Sequence, residues 1–204
     1  MSNLRHIVLV RHGETEGNSS TRFHGANDVG LADEGRAQMR RARFALRHEA
    51  FDQVFASPLQ RSWEAARIVS GGAAVQLLAD LREVDFGRWE GLTRQEIEAA
   101  DPVLYRDWQN DRANFDFPGG EVRAEFRARV ERALDGIAAG GVASALVVVH
   151  KGTIRTIVQK LLGEALPDGE PGLAEIVAVS RGFDGKWFRG RHGSDAPSPE
   201  EQAS

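Results

Sequence analysis

The stretch His6-Ile7-Val8-Leu9-Val10-Arg11-His12-Gly13-Glu14-Thr15-Glu16-Gly17-Asn18 runs from four consecutive apolar residues, mostly β-branched, straight into an arginine, a histidine and a glycine. Such a run reads as a strand. Short apolar runs of the same kind recur at 53–56, 75–78 and 145–149, with longer segments of helical periodicity between them. This alternation predicts crossover units around a largely parallel sheet, hence an α/β fold: a three-layer sandwich with a mostly parallel central sheet and helices on both faces.

The helices are expected between those strands. One covers about 33–47. A second opens at Ser57-Pro58, with Ser57 as N-cap and Pro58 as the first helical residue. Thr93 and Glu96 form a capping-box pattern, and Asp101-Pro102 restarts the chain into another short helix. Over 120–139, Val122, Phe126, Val130, Leu134 and Ile137 keep helical spacing and mark a core-facing stripe. After His150, the residues Ile154, Ile157, Val158, Leu161 and Leu162 mark a further helix, which Gly163 is placed to cap. Asp184-Gly185 reads as the tip of a turn between late strands. Residues 1–192 are expected to form one domain, and the polar, Pro/Ser-rich 193–204 a disordered tail.

Composition narrows the function. The chain has 204 residues, 41% of them hydrophobic, enough for a sizeable core. Its formal net charge of -4 gives no basic excess for a nucleic-acid backbone, so any positive site is local. There is no cysteine, which excludes a disulfide framework and thiolate chemistry and is compatible with a reducing cytoplasm, the expected location. The N-terminal apolar run is too short for a signal-peptide core or a membrane span. Of the 26 basic residues all but Lys151, Lys160 and Lys186 are arginine, the residue suited to planar, bidentate recognition of phosphate.

The residues just past each apolar run carry the chemistry. The first run leads into Arg11-His12-Gly13, the second into Ser57-Pro58 and then Arg61, the last into His150-Lys151-Gly152. In an open parallel sheet all carboxyl ends lie on one edge, where ligands bind, so these residues can converge there. Two imidazoles and two guanidiniums beside helix N-termini describe an anion pocket, and a phosphoryl group is the obvious occupant. Taken singly, each has a plain structural alternative: a polar residue at a strand boundary for His12, a surface helix residue pairing with Glu64 for Arg61. Their co-occurrence with Glu83 in the Gly- and Trp-rich "LREVDFGRWEG" favours a site. His24 reads equally as a pocket-rim or surface residue and as a substrate contact; His6, His48 and His192 read as structural or surface residues.

The ordered set "LVRHGETEGN", "SPLQRS", "LREVDFGRWEG", "FPGGE" and "VVVHKGTIR" resembles the successive motifs of the histidine phosphatase superfamily, in its phosphoglycerate-mutase-like branch. The resemblance covers about residues 7–162. It implies that His12 is the nucleophile, that Arg11, Arg61 and His150 build the phosphate pocket, and that Thr15 and Asn18 add contacts. It further implies that Arg22 is another phosphate or substrate contact and that Glu83 is the proton donor. Two departures stand out. Gly17 replaces a common tryptophan, a change expected to alter packing only, and Lys151 replaces a small residue, which adds a cation beside the pocket and bears on substrate choice.

Elementary chemistry agrees with these roles. A histidine attacks phosphorus only when neutral, and the adjacent Arg11 disfavours its imidazolium. Arg11, Arg61 and a protonated His150 are expected to neutralise the transition-state charge without a metal, and no cofactor is implied. A carboxylic acid at Glu83, expected to be partly desolvated near Phe86 and Trp89, supplies the leaving group's proton. The expected activity is a metal-independent phosphomonoesterase of the histidine acid phosphatase type, acting on a small-molecule phosphate ester through a phosphohistidine. The partners expected exclude nucleic acid and membrane, and oligomeric state is left open. A mutase would use the same pocket, but the family's glycolytic mutases carry a longer insertion before the second histidine than is present here. A phosphate-binding protein without catalysis would need the arginines but not His12 and Glu83. Sugar phosphates, phosphoglycerate-like acids, ribazole phosphate, nucleotides and phosphoproteins all stay open as substrates.

Overall fold

Strand β1 (His6–Arg11) lies between two neighbours in a six-stranded sheet, parallel to β4 (Ser144–Val149) and antiparallel to β5 (Ile176–Arg181). The computed structural model describes residues 3–190, so the expected tail at 193–204, and His192, lie outside the described residues. Beyond β4 come β2 (Gln53–Ala56) and β3 (Val75–Leu77), both parallel to it; beyond β5 comes β6 (Trp187–Arg189), antiparallel. The order is β3-β2-β4-β1-β5-β6. The β5–β6 hairpin turns at Asp184-Gly185, where Gly185 takes the left-handed φ of 82° and its N–H donates to the Gly182 carbonyl at 3.0 Å.

The unbroken apolar character of β1 and β4 follows from burial on both faces. Ile7 and Leu9 join Ala145, Val147 and Val149 in one core, under α5 (Arg123–Ala139) and α6 (Lys151–Leu162). Val8 and Val10 join Leu146 and Val148 in the other, under α1 (Asp33–Ala45) and α2 (Gln60–Val69). Two short helices, α3 (Arg94–Ala100) and α4 (Pro102–Asn110), extend the first core through Ile97, Tyr105 and Trp108. The helices after the adjacent parallel strands β1 and β4 therefore go to opposite faces. In open α/β sheets such divergence at the carboxyl ends of neighbouring strands marks the place where ligands bind.

Local signals hold where their partners are local. Thr93 and Glu96 make both bonds of the capping box, Pro102 starts α4, and Gly163 ends α6 with φ 77°. Two expectations fail. Ser57 is not an N-cap: its hydroxyl accepts the Leu59 N–H at 3.2 Å in a turn, and the helix begins at Gln60, whose N–H donates to the Asp28 carboxylate at 2.6 Å. Val122 is 43% exposed, because α5 starts only at Arg123 and leaves it as the flanking residue. Among the described residues no helix is long and apolar enough to cross a membrane.

Candidate active site

The His12 N–H donates to the Val149 carbonyl at 3.0 Å, so the residues after β1 and β4 begin side by side. The imidazole centroids of His12 and His150 are 5.2 Å apart, at 64°. His12 Nδ1 lies 2.7 Å from the Gly13 carbonyl, which can only accept. The hydrogen of the neutral ring therefore sits on Nδ1, and Nε2 carries the free lone pair.

Arg61, fully buried at the start of α2, donates Nη1 to the Asn27 carbonyl at 2.7 Å and Nη2 to those of His24 and Gly25 at 3.0 and 2.9 Å. The amides of the same loop face the other way: the Gly25, Ala26 and Asn27 N–H groups donate to the Glu90 carboxylate, which also accepts from Phe86. Loop 24–27 is thus held between a guanidinium on its carbonyls and a carboxylate on its amides. Ser62 braces the next residue, donating its hydroxyl to the Val148 carbonyl of β4 at 2.7 Å. Arg11 donates Nη1 to the Pro171 carbonyl at 3.0 Å. Four buried atoms of this group have no partner within the protein: Arg11 Nε, Arg61 Nε and both ring nitrogens of His150. In an interior where nearly all such groups are paired, this concentration leaves two guanidinium N–H donors and one N–H of the neutral His150 ring open to an oxyanion.

Burial sets the protonation of both imidazoles. It pushes His12 well below the usual histidine range, helped by the charges of Arg61 and Arg11; burial, then Arg61, do the same to His150. The direction of the shift favours the neutral ring of His150 while no anion is bound, and an arriving phosphoryl group pulls the other way.

Glu83 is buried, with Oε1 accepting the Val84 N–H at 3.0 Å and Oε2 the Gly152 N–H at 2.9 Å, in the first turn of α6. A Cβ on Gly152 would run into that carboxylate, so the glycine is required by close approach. Its charge acts on Arg11, Arg61 and Arg123. Arg129 fixes the turn before it, donating to the carbonyls of Asp80, Arg82 and Glu83 at 2.7–2.9 Å and forking onto Glu121 of the FPGGE motif at 2.6 and 2.7 Å. Sequence reasoning passes over Gly152, Glu90 and Arg129, since each acts through a distant segment.

The remaining candidates are engaged in contacts of their own or exposed. The Thr15 hydroxyl is engaged with Ser19 Oγ at 2.8 Å, and Asn18 is exposed in the left-handed region at φ 57°. Arg22 is tied down, with Nη1 on the Gly91 carbonyl at 2.7 Å and on Glu96 at 2.9 Å. Lys151, the first residue of α6, donates Nζ to the Gly169 carbonyl at 2.7 Å. At Gly17 the space a side chain would fill is taken by the His24 ring, whose Nε2 bonds the Gly17 carbonyl. Among the described residues no three His, Asp or Glu side chains group closely enough to hold a metal ion.

The family model of the histidine phosphatase superfamily (branch 1) matches residues 7–182. The chain is 34% identical over 159 residues to the adenosylcobalamin/alpha-ribazole phosphatase of Salmonella typhimurium, covering 76% of this chain and 79% of that protein. It is 36% identical over 188 residues to phosphoglycerate mutase-like protein 4 of Arabidopsis thaliana, covering 89% and 81%. The crystal structure of the alpha-ribazole phosphatase from Shigella flexneri superimposes with a TM-score of 0.78 at 25% identity, covering 94% of this chain and 97% of that one. The chain spans between 34% and 44% of the length of four other curated relatives it matches.

Two outcomes are expected from this geometry. Glu90→Gln leaves one strong acceptor where the loop amides had two and loosens the carbonyls that aim Arg61. Inorganic phosphate should inhibit that variant roughly 10-fold more weakly, the scale of one hydrogen bond to a charged group; an unchanged inhibition constant would show that loop 24–27 holds its place without Glu90. The second outcome concerns pH. The folded pKa values of His12 and His150 lie below the unfolded value of 6.5, so the unfolded chain binds protons that the native pocket refuses. Stability is then fully present above about pH 6.5 and lost as pH falls below it, by up to about 1.4 kcal/mol per pH unit for each ring. Denaturant unfolding in phosphate-free buffer checks this, and His150→Asn should flatten the slope.

Proposed function

This chain belongs to the histidine phosphatase superfamily, and from that premise we propose that it is a metal-independent phosphomonoesterase that hydrolyses a phosphorylated small molecule through a phosphohistidine at His12. The observation that carries the reading is the neutral, buried His12 with Nδ1 on the Gly13 carbonyl and Nε2 free, between two guanidiniums that keep unpaired donors.

In the proposed reaction the Nε2 lone pair attacks phosphorus and the ester P–O bond breaks, its electrons leaving with the alcohol oxygen. Glu83 gives that oxygen a proton. The imidazole gains positive character, which the Gly13 carbonyl on Nδ1–H eases. Arg11 and Arg61 hold the equatorial oxygens, whose charge spreads through the transfer. Water then attacks the phosphohistidine, the Glu83 carboxylate takes its proton, and the N–P bond breaks to return neutral His12 and free phosphate. The Gly152 and Val84 amides orient the carboxyl for both proton transfers. Thr15 and Asn18 are assigned to the phosphate-side loop. Arg22, bound to Glu96, is assigned to the rim. Operation of the histidine acid phosphatase type is supported by the lowered pKa of His12, which keeps the nucleophile unprotonated further toward acid than an ordinary histidine. Hydrolysis rather than mutase chemistry is supported by the short stretch between Glu83 and His150 and by relatives that are phosphatases.

The test is leaving-group dependence in the presence of EDTA. Glu83→Gln removes the proton but keeps the shape, so rapid-quench phosphorylation with a sugar phosphate should fall by about a hundred- to ten-thousand-fold and with p-nitrophenyl phosphate far less. Equal losses would make Glu83 a positioning residue. Loss of wild-type turnover in EDTA, restored by a divalent ion, would overturn the metal-independent reading.

A further inference from the structure

The link from α6 to β5, residues 163–175, has no helix or strand, and side chains hold much of its backbone. Lys151 Nζ donates to the Gly169 carbonyl at 2.7 Å. Arg155 Nη1 donates to the Pro167 and Glu170 carbonyls, both at 2.9 Å, and Arg11 Nη1 to that of Pro171 at 3.0 Å. Lys151 and Arg155 stand one turn apart on α6, on one helix face. Pro171 is buried, follows directly on the Glu170 carbonyl that Arg155 holds, and has no N–H of its own to anchor it. The position of 167–171 is therefore set from α6, and its last carbonyl meets an arginine of the phosphate pocket.

Arg11 depends on that carbonyl for direction. The charges of Glu83, Glu14 and Glu175 act on it, but among the described residues the Pro171 carbonyl is the one hydrogen-bond partner of its guanidinium, and Nε has none. A carboxylate that makes no hydrogen bond to the group stabilises its charge without fixing where each N–H points. A guanidinium is planar with its donors at fixed angles, so a bond at Nη1 sets the direction left to Nε–H. Lys151 keeps its place against opposition: burial, then the charges of Arg11, Arg155 and Arg94, lower it to about 8, against the pull of Asp168. What its ammonium holds there is a backbone carbonyl, two residues before the one that meets Arg11.

We propose that Lys151 and Arg155 are positioning residues for Arg11: through segment 167–171 they hold the Pro171 carbonyl that aims its guanidinium at the phosphoryl group. This rests on the phosphatase reading of the same pocket. The departure of Lys151 from the small residue usual in the family then has a function: it acts on the segment behind Arg11 and not on the substrate.

The experiment reads Arg11 itself. Nitrogen-15-labelled protein in phosphate-free buffer gives a resonance for each buried arginine Nε–H, and Arg11→Lys and Arg61→Lys assign the two that matter. In Lys151→Met and in Arg155→Met the Arg11 Nε–H should shift, while that of Arg61, held by loop 24–27, stays in place. The calorimetric Kd for inorganic phosphate should rise about fivefold in each variant, the scale of one hydrogen bond. In an Arg11→Lys background the same two substitutions should change Kd by less than about twofold, since their effect runs through Arg11. An Arg11 resonance that does not move, or one that moves together with that of Arg61, would overturn the proposal. Losses that add in full to that of Arg11→Lys would overturn it too, and would make the two cations act on the anion directly. Wild-type hydrolysis of p-nitrophenyl phosphate tests the phosphatase reading separately.

Discussion

Everything at this edge of the sheet depends on keeping two guanidinium groups out of water. Arg61 is fully buried and Arg11 is partly buried, with its Nε out of water, and a buried charge is tolerated only with dense polar contact. Arg61 takes three backbone carbonyls of loop 24–27, and the loop can present them because Glu90 collects its amides. Arg11 takes the Pro171 carbonyl. Neither arginine is completed by these contacts, since each retains a buried Nε with no protein partner. Burial first, and these two charges after it, lower the pKa values of His12 and His150. One electrostatic arrangement thereby supplies both the unprotonated imidazoles and the donors for an oxyanion.

The fold sets this local arrangement at the sheet edge. Strands β1 and β4 are parallel neighbours, and the helices after them leave toward opposite faces, so backbone cannot fill the gap between their ends. Helix α6 then brings the Gly152 amide onto Glu83, while Arg129 from α5 fastens the carbonyls of the turn before it. The carboxyl group is aimed by contacts from two helices that pack in the same core as the strands. Tight packing there is what holds the geometry within the tolerance that chemistry requires.

Much of this is legible in the sequence because its causes are local. Apolar runs of four or five residues mark the four parallel strands, the Thr93–Glu96 pair marks α3, and Gly163 marks the end of α6. The placement of His12 and His150 comes from their positions after two such runs. The features that escape such a reading depend on segments far apart in the chain. Ser57 loses its capping role because Asp28, from another loop, meets the helix start. Glu90 bonds amides 63 to 65 residues away, and Glu83 an amide 69 residues away, with no periodic signal to announce either contact. Burial, which the sequence does not show, is the largest influence on the His150 ring, lowering its pKa ahead of the neighbouring Arg61 charge.

The central claim is that the free Nε2 of His12 receives the phosphoryl group, and covalent trapping tests it most directly. Protein mixed briefly with a phosphate ester, quenched at alkaline pH and digested without acid should yield one phosphorylated peptide, with the modification on His12, stable to alkali and lost in acid. His12→Ala should yield none and should not turn over. A phosphoryl group on any other residue, or turnover by His12→Ala at the wild-type rate, would contradict the account.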